Sequence, residues 1–221
     1  MKEFPLLRWN YIHAWIMLIT FTACLIIKSL IPLLPAIVLS IALLFLSQRK
    51  ELEKMNPWGG YANIVTTFRI FILLYLGAFY AHLTLPVIMI FALTALIMDA
   101  ADGYLARKYN QQSETGAFYD LEADNLYVLI VSFISWNIHL LPYWILIPAS
   151  MRYIFVITTN VLKLDLSKDR RTRLGPFIAL IHFIAVLLPF IAPAQIFILV
   201  CAISSGLVVS SFLYSFFLLT K

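Results

Sequence analysis

Eight stretches of mostly apolar residues alternate with short polar breaks along this chain. They run from about Tyr11 to Leu30, Pro32 to Ser47, Tyr61 to His82, Pro86 to Arg107, Gly116 to Trp136, Tyr143 to Leu162, Leu174 to Ala192 and Ala194 to Leu219. A helix of about 20 apolar residues crosses the hydrocarbon core of a bilayer, and runs this long and uniform suit helices rather than barrel strands. The pattern predicts an all-α fold: a polytopic integral membrane helix bundle with a six-helix core and two N-terminal helices. The second stretch is short, so the first pair reads as a tight or partly re-entrant hairpin. Asn56-Pro57-Trp58-Gly59-Gly60 then reads as a turn with an interfacial tryptophan. The expected division is residues 1–60 as membrane hairpin and linker, and 61–221 as the six-helix domain.

The breaks differ in charge. Gln48 to Lys54 is charged, Lys108 to Thr115 is polar, and Lys163 to Arg173 is strongly basic, whereas the breaks near Leu83, Asn137 and Pro193 carry no lysine or arginine. With both termini inside, Lys2, Arg8, Arg49, Lys50, Lys54, Lys108, Lys163, Lys168, Arg170, Arg171, Arg173 and Lys221 share the cytoplasmic side, and Lys28 alone lies near an outer end. Excess lysine and arginine marks cytoplasmic loops, so the expected orientation is fixed.

Composition agrees. Charged residues make up 12% of the 221, against roughly 25% in soluble domains, and the mean hydropathy is +0.92. The net charge of +5 sits in the breaks, which reads as loop topology and not as a nucleic-acid surface. Cys24 and Cys201 lie inside apolar runs and read as packing residues, with no disulfide or zinc framework. Lys2 and Arg8 ahead of an apolar run resemble a signal peptide, but there is no small-x-small site and a second apolar run follows at once, so an uncleaved first span is expected. The histidines at 13, 82, 139 and 182 show no ligand-like spacing.

Chemistry concentrates between Asp99 and Asp124. Asp99 and Asp102 are three apart, and Asp120 and Asp124 are four apart, so each pair shares a helix face, while Glu122 points elsewhere. Four carboxylates at a membrane boundary need positive charge, most simply divalent metal, and phosphate chemistry is the simplest reason to hold it there. Asn63, Thr66 and Arg69 form a second polar stripe, three apart on an otherwise apolar helix. Arg152 stands alone mid-span, where a charge costs at least ~2.5–3.5 kcal/mol. It is expected to face a polar cavity and bind a substrate phosphate, the alternative being a bridge to one of the aspartates.

Written as a pattern, the segment is D-x2-D-G-x2-A-R-x8-G-x3-D-x3-D, filled by Asp99, Asp102, Gly103, Ala106, Arg107, Gly116, Asp120 and Asp124. It resembles the signature of the CDP-alcohol phosphatidyltransferase family, and the resemblance covers the six-span block from about Tyr61 onward. It implies that Asp99, Asp102 and Asp120 bind metal. Asp124 is implied as the base, also touching metal, that deprotonates an acceptor hydroxyl for attack on the β-phosphorus of a CDP-linked donor, with CMP leaving. Oxygen ligands suit Mg²⁺ or Mn²⁺, and two ions can clamp the attacked phosphorus and the leaving phosphate. Gly103 and Ala106 permit close approach to the backbone, Arg107 can pair with a diphosphate, and Gly116 permits a tight turn. Family members often carry N-x2-T-x2-R where Asn63, Thr66 and Arg69 stand, lining the nucleotide pocket.

The reaction so implied is transfer of a phosphatidyl group from a CDP-lipid donor, CDP-diacylglycerol, to a small alcohol, with Arg152, Arg171 and Arg173 as acceptor-binding candidates that favour glycerol 3-phosphate. Membrane lipids are the remaining partners, no nucleic acid is expected, and a homodimer is left open. Gly175 is followed by Pro176 where several family members have Gly-Lys, which weakens transfer of an acceptor assignment. The expected location is a bacterial inner membrane with the site facing the cytoplasm. Alternatives are transfer from CDP-choline or CDP-ethanolamine to diacylglycerol, an inactive scaffold, and a cation transporter using the intramembrane aspartates. The one-sided position of the acids beside an arginine argues against the transporter.

Overall fold

The structure is a computed structural model that describes residues 4–164 and 174–220. Among the described residues there are nine α-helices and no strand: α1 (Phe4–Ile27), α2 (Leu33–Ser47), α3 (Arg49–Leu52), α4 (Gly60–Phe79), α5 (Leu85–Lys108), α6 (Glu114–Asn137), α7 (Leu146–Val161), α8 (Gly175–Ala185) and α9 (Ala194–Leu219). Each of the eight apolar stretches holds a helix, so the all-α expectation stands. The eight are not equal, however. Leu6–Ile27, Gly60–His82, Leu85–Lys108, Tyr143–Val161 and Ala194–Leu219 are long and apolar enough to cross a bilayer, whereas Leu33–Ser47 and Gly175–Phe190 are shorter. The helix α6 has the length, at 24 residues, but carries Glu114, Asp120, Glu122 and Asp124 in its first half.

The stretch expected to run unbroken from Leu174 to Ala192 divides. The helix α8 stops at Ala185, and a 3-10 turn follows over Leu188–Phe190. Pro189 explains the break, because it has no N–H and its ring clashes with the carbonyl four residues back, at Ala185. Pro148 does no such damage in α7 because it lies in the first turn.

Four helices end in the same way without glycine. Lys28, Asn110, His139 and Lys163 all take positive φ, between 51° and 63°. After each, a backbone N–H reaches a carbonyl five residues back: Ser29 to Cys24, Gln111 to Ala106, Leu140 to Ser135 and Leu164 to Thr159, at 2.9–3.1 Å. This is the Schellman closure, which satisfies carbonyls that the helix end would leave bare.

The layout is a bundle around α6. This helix packs on α4, α5 and α7, while α1 packs on α2 and α7, and α9 on α7 and α8. Every residue from Leu126 to Ser135 is buried, as expected of a helix enclosed on all sides. The outer helices show the opposite. Phe68, Phe71, Ile90, Ile97, Leu199 and Ile203 are exposed, and only 22–39% of each long span is covered by the rest of the chain. Such an apolar exterior is stable against lipid tails and not against water, so the protein is an integral membrane protein.

Where α6 begins, its Ser113 cap is well formed. The Ser113 Oγ accepts from the Gly116 N–H at 2.9 Å. Ser113→Ala removes that acceptor and should lower stability by about 1 kcal/mol, read as a lower Tm for thermal unfolding in detergent. Ser113→Asp should keep Tm close to the parent value.

Candidate active site

Three helix ends meet on one face of the bundle: the start of α4, the end of α5 and the start of α6. Because α4 packs against both others, its polar stripe faces the gap between them. Asn63, Thr66 and Arg69 are all buried. The Arg69 side chain has no exposure at all, and Asp99 and Asp102 from α5 and Asp120 and Asp124 from α6 surround it. Its Nη1 donates to Asp99 Oδ1 at 2.8 Å and to Asp120 Oδ1 at 3.2 Å, and its Nη2 donates to Asp124 Oδ1. Asp102 Oδ2 is 3.9 Å from Nη1.

Arg69 is therefore the cation at the centre of the aspartates. The resemblance implies only that Arg69 lines the nucleotide pocket with Asn63 and Thr66, and that Arg107 pairs with a diphosphate. The signal in the sequence was the three-residue spacing that puts Arg69 on the same face as Asn63 and Thr66; its partners, 30 to 55 residues away, were not legible. A fully buried guanidinium is tolerable only when paired. One positive charge against four carboxylates still leaves the cluster formally short of three.

The aspartates do not play equal parts. Asp99, Asp120 and Asp124 each bring a carboxylate oxygen within 4.8 Å of the other two, a group able to hold a metal ion. All three are partly open, and all-oxygen donors with excess negative charge fit a hard divalent cation. Asp102, expected as a fourth ligand, is buried and turned aside, where its Oδ2 accepts from the Thr66 hydroxyl at 2.8 Å. Its hydroxyl bond to Thr66 explains why it stands apart from the other three.

The remaining signature residues shape the rim. Gly116 was expected to permit a tight turn, but it lies inside the first turn of α6, and its role is space. A methyl group there would come within 3.1 Å of Asn63 Oδ1 and 3.0 Å of Ser113 Oγ. Asn63 itself donates to the Gly59 carbonyl at 2.7 Å. Gly103 lies under the Arg107 guanidinium, whose Nη1 would be 3.5 Å from an added methyl. Arg107 is thus folded back along α5 toward the aspartates, and among the described residues no carboxylate pairs with it. The Ala106 carbonyl accepts the Gln111 N–H that closes α5.

A polar floor holds these ends together. Gln111 donates to the Asn56 carbonyl at 2.8 Å and accepts from the Tyr61 N–H at 2.9 Å. The Thr115 hydroxyl donates to the Glu51 carboxylate. Gly60 is required twice over here, by its φ of 83° and by the 3.0 Å approach of Gln111 Oε1 to where a methyl would stand.

Arg152 is not brought to the aspartates. It pairs with Glu122, Nε to Oε2 at 3.5 Å, in a buried cluster with His13 and Tyr153 on the other side of α6. The carboxylate it bridges to is thus a glutamate and not one of the aspartates, and its side chain is buried. Arg171 and Arg173 lie outside the described residues.

If Arg69 is the counter-ion of the cluster, removing it leaves the carboxylates facing one another. Arg69→Gln should destabilise the protein by about 3–5 kcal/mol, as for loss of one partner of a buried ion pair. Excess Mn²⁺ should raise the Tm of the variant by more than it raises that of the parent. Differential scanning fluorimetry with and without Mn²⁺ checks this, and equal shifts in both proteins would separate the metal from the arginine's partners.

The CDP-alcohol phosphatidyltransferase family model matches residues 60–209, which span the polar floor's last glycine, the aspartate cluster and most of α9. No curated protein matches the chain, and no solved structure does. The match covers well over half the chain and contains every aspartate gathered around Arg69. The chain belongs to the CDP-alcohol phosphatidyltransferase family, whose members transfer a phosphatidyl group from a CDP-alcohol.

Proposed function

We propose that this protein transfers the phosphatidyl group of CDP-diacylglycerol to a small hydroxyl acceptor in phospholipid synthesis, at the aspartate cluster, with release of CMP. The observation that carries the reading is the convergence of Asp99, Asp120 and Asp124 at three signature positions on one face of the bundle. Asp99, Asp120 and Asp124, with Asp102 once released from Thr66, would hold one or two Mg²⁺ or Mn²⁺ ions, which supply Lewis-acid charge for the diphosphate.

The chain's own groups have separable tasks. Asn63, Thr66, Gly103, Ala106 and Gly116 line the nucleotide side, and the guanidinium of Arg107, which no carboxylate pairs with among the described residues, meets the diphosphate. Arg69 grips Asp124 through Oδ1 and fixes its orientation, leaving Oδ2 to take the proton of the acceptor hydroxyl. The acceptor oxygen bonds to the β-phosphorus as the bond to the bridging oxygen breaks, and CMP leaves with that oxygen and its electron pair. For the lipid tails, an apolar groove of about 250 Å³ lies beside Asn63, lined by Phe45, Leu52, Trp58, Ile64, Phe68 and Phe71, which favours a diacylglycerol-bearing donor. With Arg152 engaged by Glu122, support for a phosphorylated acceptor such as glycerol 3-phosphate rests on Arg171 and Arg173. The proposed setting is a bacterial inner membrane with the cluster on the cytoplasmic side, where the basic breaks lie.

Purified protein should release CMP from CDP-diacylglycerol only with an acceptor and with Mg²⁺ or Mn²⁺, and excess chelator should abolish release. A panel of glycerol 3-phosphate, inositol phosphate, serine and diacylglycerol with CDP-choline separates the acceptor classes. Asp124→Asn should cut turnover by roughly 10²–10⁴-fold, the range for a lost general base, with donor binding retained; near-parent turnover would remove Asp124 from this role.

Sidedness has its own check. Both native cysteines are buried, so cysteines placed at the exposed positions Gln112 and Thr84 report cleanly. Gln112→Cys should label with a membrane-impermeant maleimide from the cytoplasmic side and Thr84→Cys from the opposite side. The reverse pattern would move the site across the membrane.

A further inference from the structure

The central helix α6 carries acids on two faces. At roughly 100° per residue, Glu122 lies about 160° around the helix from both Asp120 and Asp124. It is 2% exposed, yet it is the hub of a second polar cluster. His13 Nε2 on α1 sits 2.8 Å from Glu122 Oε1, and the Tyr153 hydroxyl on α7 donates to the same oxygen at 2.6 Å. Arg152 Nε, also on α7, is 3.5 Å from Oε2, and its Nη2 donates to Asn10 on α1 at 3.2 Å. The far side of His13 is fixed as well. Its Nδ1 is 2.6 Å from Ser40 Oγ on α2, and its ring stacks on Trp9, centroids 4.8 Å apart. The Trp9 indole in turn donates to the Ser40 carbonyl at 2.8 Å.

Two features set this cluster apart from an ordinary buried ion pair. It ties α1 and α2, which lie outside the 60–209 region matched by the family, to the helix that bears Asp120 and Asp124. It also grips that helix from the side opposite Arg69, within one turn of the same residues. Around Asp120 and Asp124 the helix is less enclosed than over Leu126 to Ser135, so polar contacts on its two faces bear on its rotation there. Displacement of a catalytic group by about 1 Å can cost on the order of 10²-fold in rate, so the second grip bears directly on whether Asp120 and Asp124 meet Asp99.

We propose that His13, Glu122 and Arg152 are positioning residues for the aspartate site: they fix the rotation of α6, and through them the N-terminal hairpin is part of the catalytic unit. The inference rests on the phosphatidyl-transfer reading for its activity readout but not for its metal readout. Arg152 then serves this grip and does not bind the acceptor phosphate.

The test uses the full chain in detergent and two probes: Mn²⁺ alone, followed by its electron paramagnetic resonance signal, and CMP release. Glu122→Gln should weaken Mn²⁺ binding and lower kcat by about tenfold or more, with KM for the donor changed far less. His13→Gln keeps the Glu122–Arg152 pair and should do the same to a smaller degree, which keeps the proposal open to refutation should Glu122→Gln not fold. The double variant Glu122→Gln with Arg152→Gln, which leaves neither charge alone, should recover part of the Mn²⁺ affinity lost in the single variant, giving a non-zero coupling in the cycle. Folded single variants that bind Mn²⁺ and turn over within about twofold of the parent, inside the scatter of independent sites, would overturn the inference and reduce the cluster to charge neutralisation. If the parent binds Mn²⁺ but releases no CMP, the proposed reaction fails while the inference is judged on Mn²⁺ affinity. Absence of both in the parent overturns the two together.

Discussion

Arg69 carries a full positive charge with no exposure to solvent, and aspartates from two other helices close around it. Neither side of that contact is stable alone. The guanidinium would be stranded in an apolar helix, and the carboxylates would repel one another across a narrow gap. Together they set the distance between the start of α4, the end of α5 and the start of α6. The pairing is incomplete by design of charge, since one cation cannot balance four anions. The surplus is what makes the cluster attractive to a divalent ion, and three of the carboxylates that surround Arg69 form the group able to hold one.

The site depends equally on small residues that keep bulk away. Gly60 and Gly116 each lie where a methyl group would crowd a polar side chain of the rim, Gln111 and Asn63 respectively, whereas at Gly103 it would make only ordinary contact with Arg107. Of the two signature glycines, Gly116 therefore acts as a spacing device for polar groups and not as a hinge. Only Gly60 also needs its unusual backbone angle.

On its reverse side α6 meets a second set of charges, and the two sets divide Asp120, Glu122 and Asp124 between them, while Glu114 in the first turn is exposed. Asp120 and Asp124 look toward α4 and α5, and Glu122 looks toward α1 and α7. Below them Leu126 to Ser135 are buried without interruption. A helix so enclosed has no lipid-facing side on which to place a charge, so the acids it carries next to that stretch have to be matched by a basic or hydroxyl group from a neighbour. Arg69, His13, Arg152 and Tyr153 supply that match.

The sequence by itself determined the class of the molecule. Apolar runs of membrane-spanning length require helices in lipid, and the eight-residue signature, with its fixed spacing, was enough to name the family and to place the aspartate pairs on shared helix faces. It also separated Glu122 from Asp120 and Asp124, because helical periodicity is a local property. What it could not determine were pairings between residues distant in the chain. Arg69 reads as one more polar residue on a stripe until α4 is packed against α5 and α6, and Arg152 reads as an unpartnered cation until α7 meets Glu122. His13, with no ligand-like spacing, gives no sign of its contact 109 residues away. Turn geometry, spacing and periodicity are written into neighbouring residues. The choice of counter-charge belongs to the tertiary structure, because in a low-dielectric interior it depends only on which buried groups the packing brings within a few ångströms.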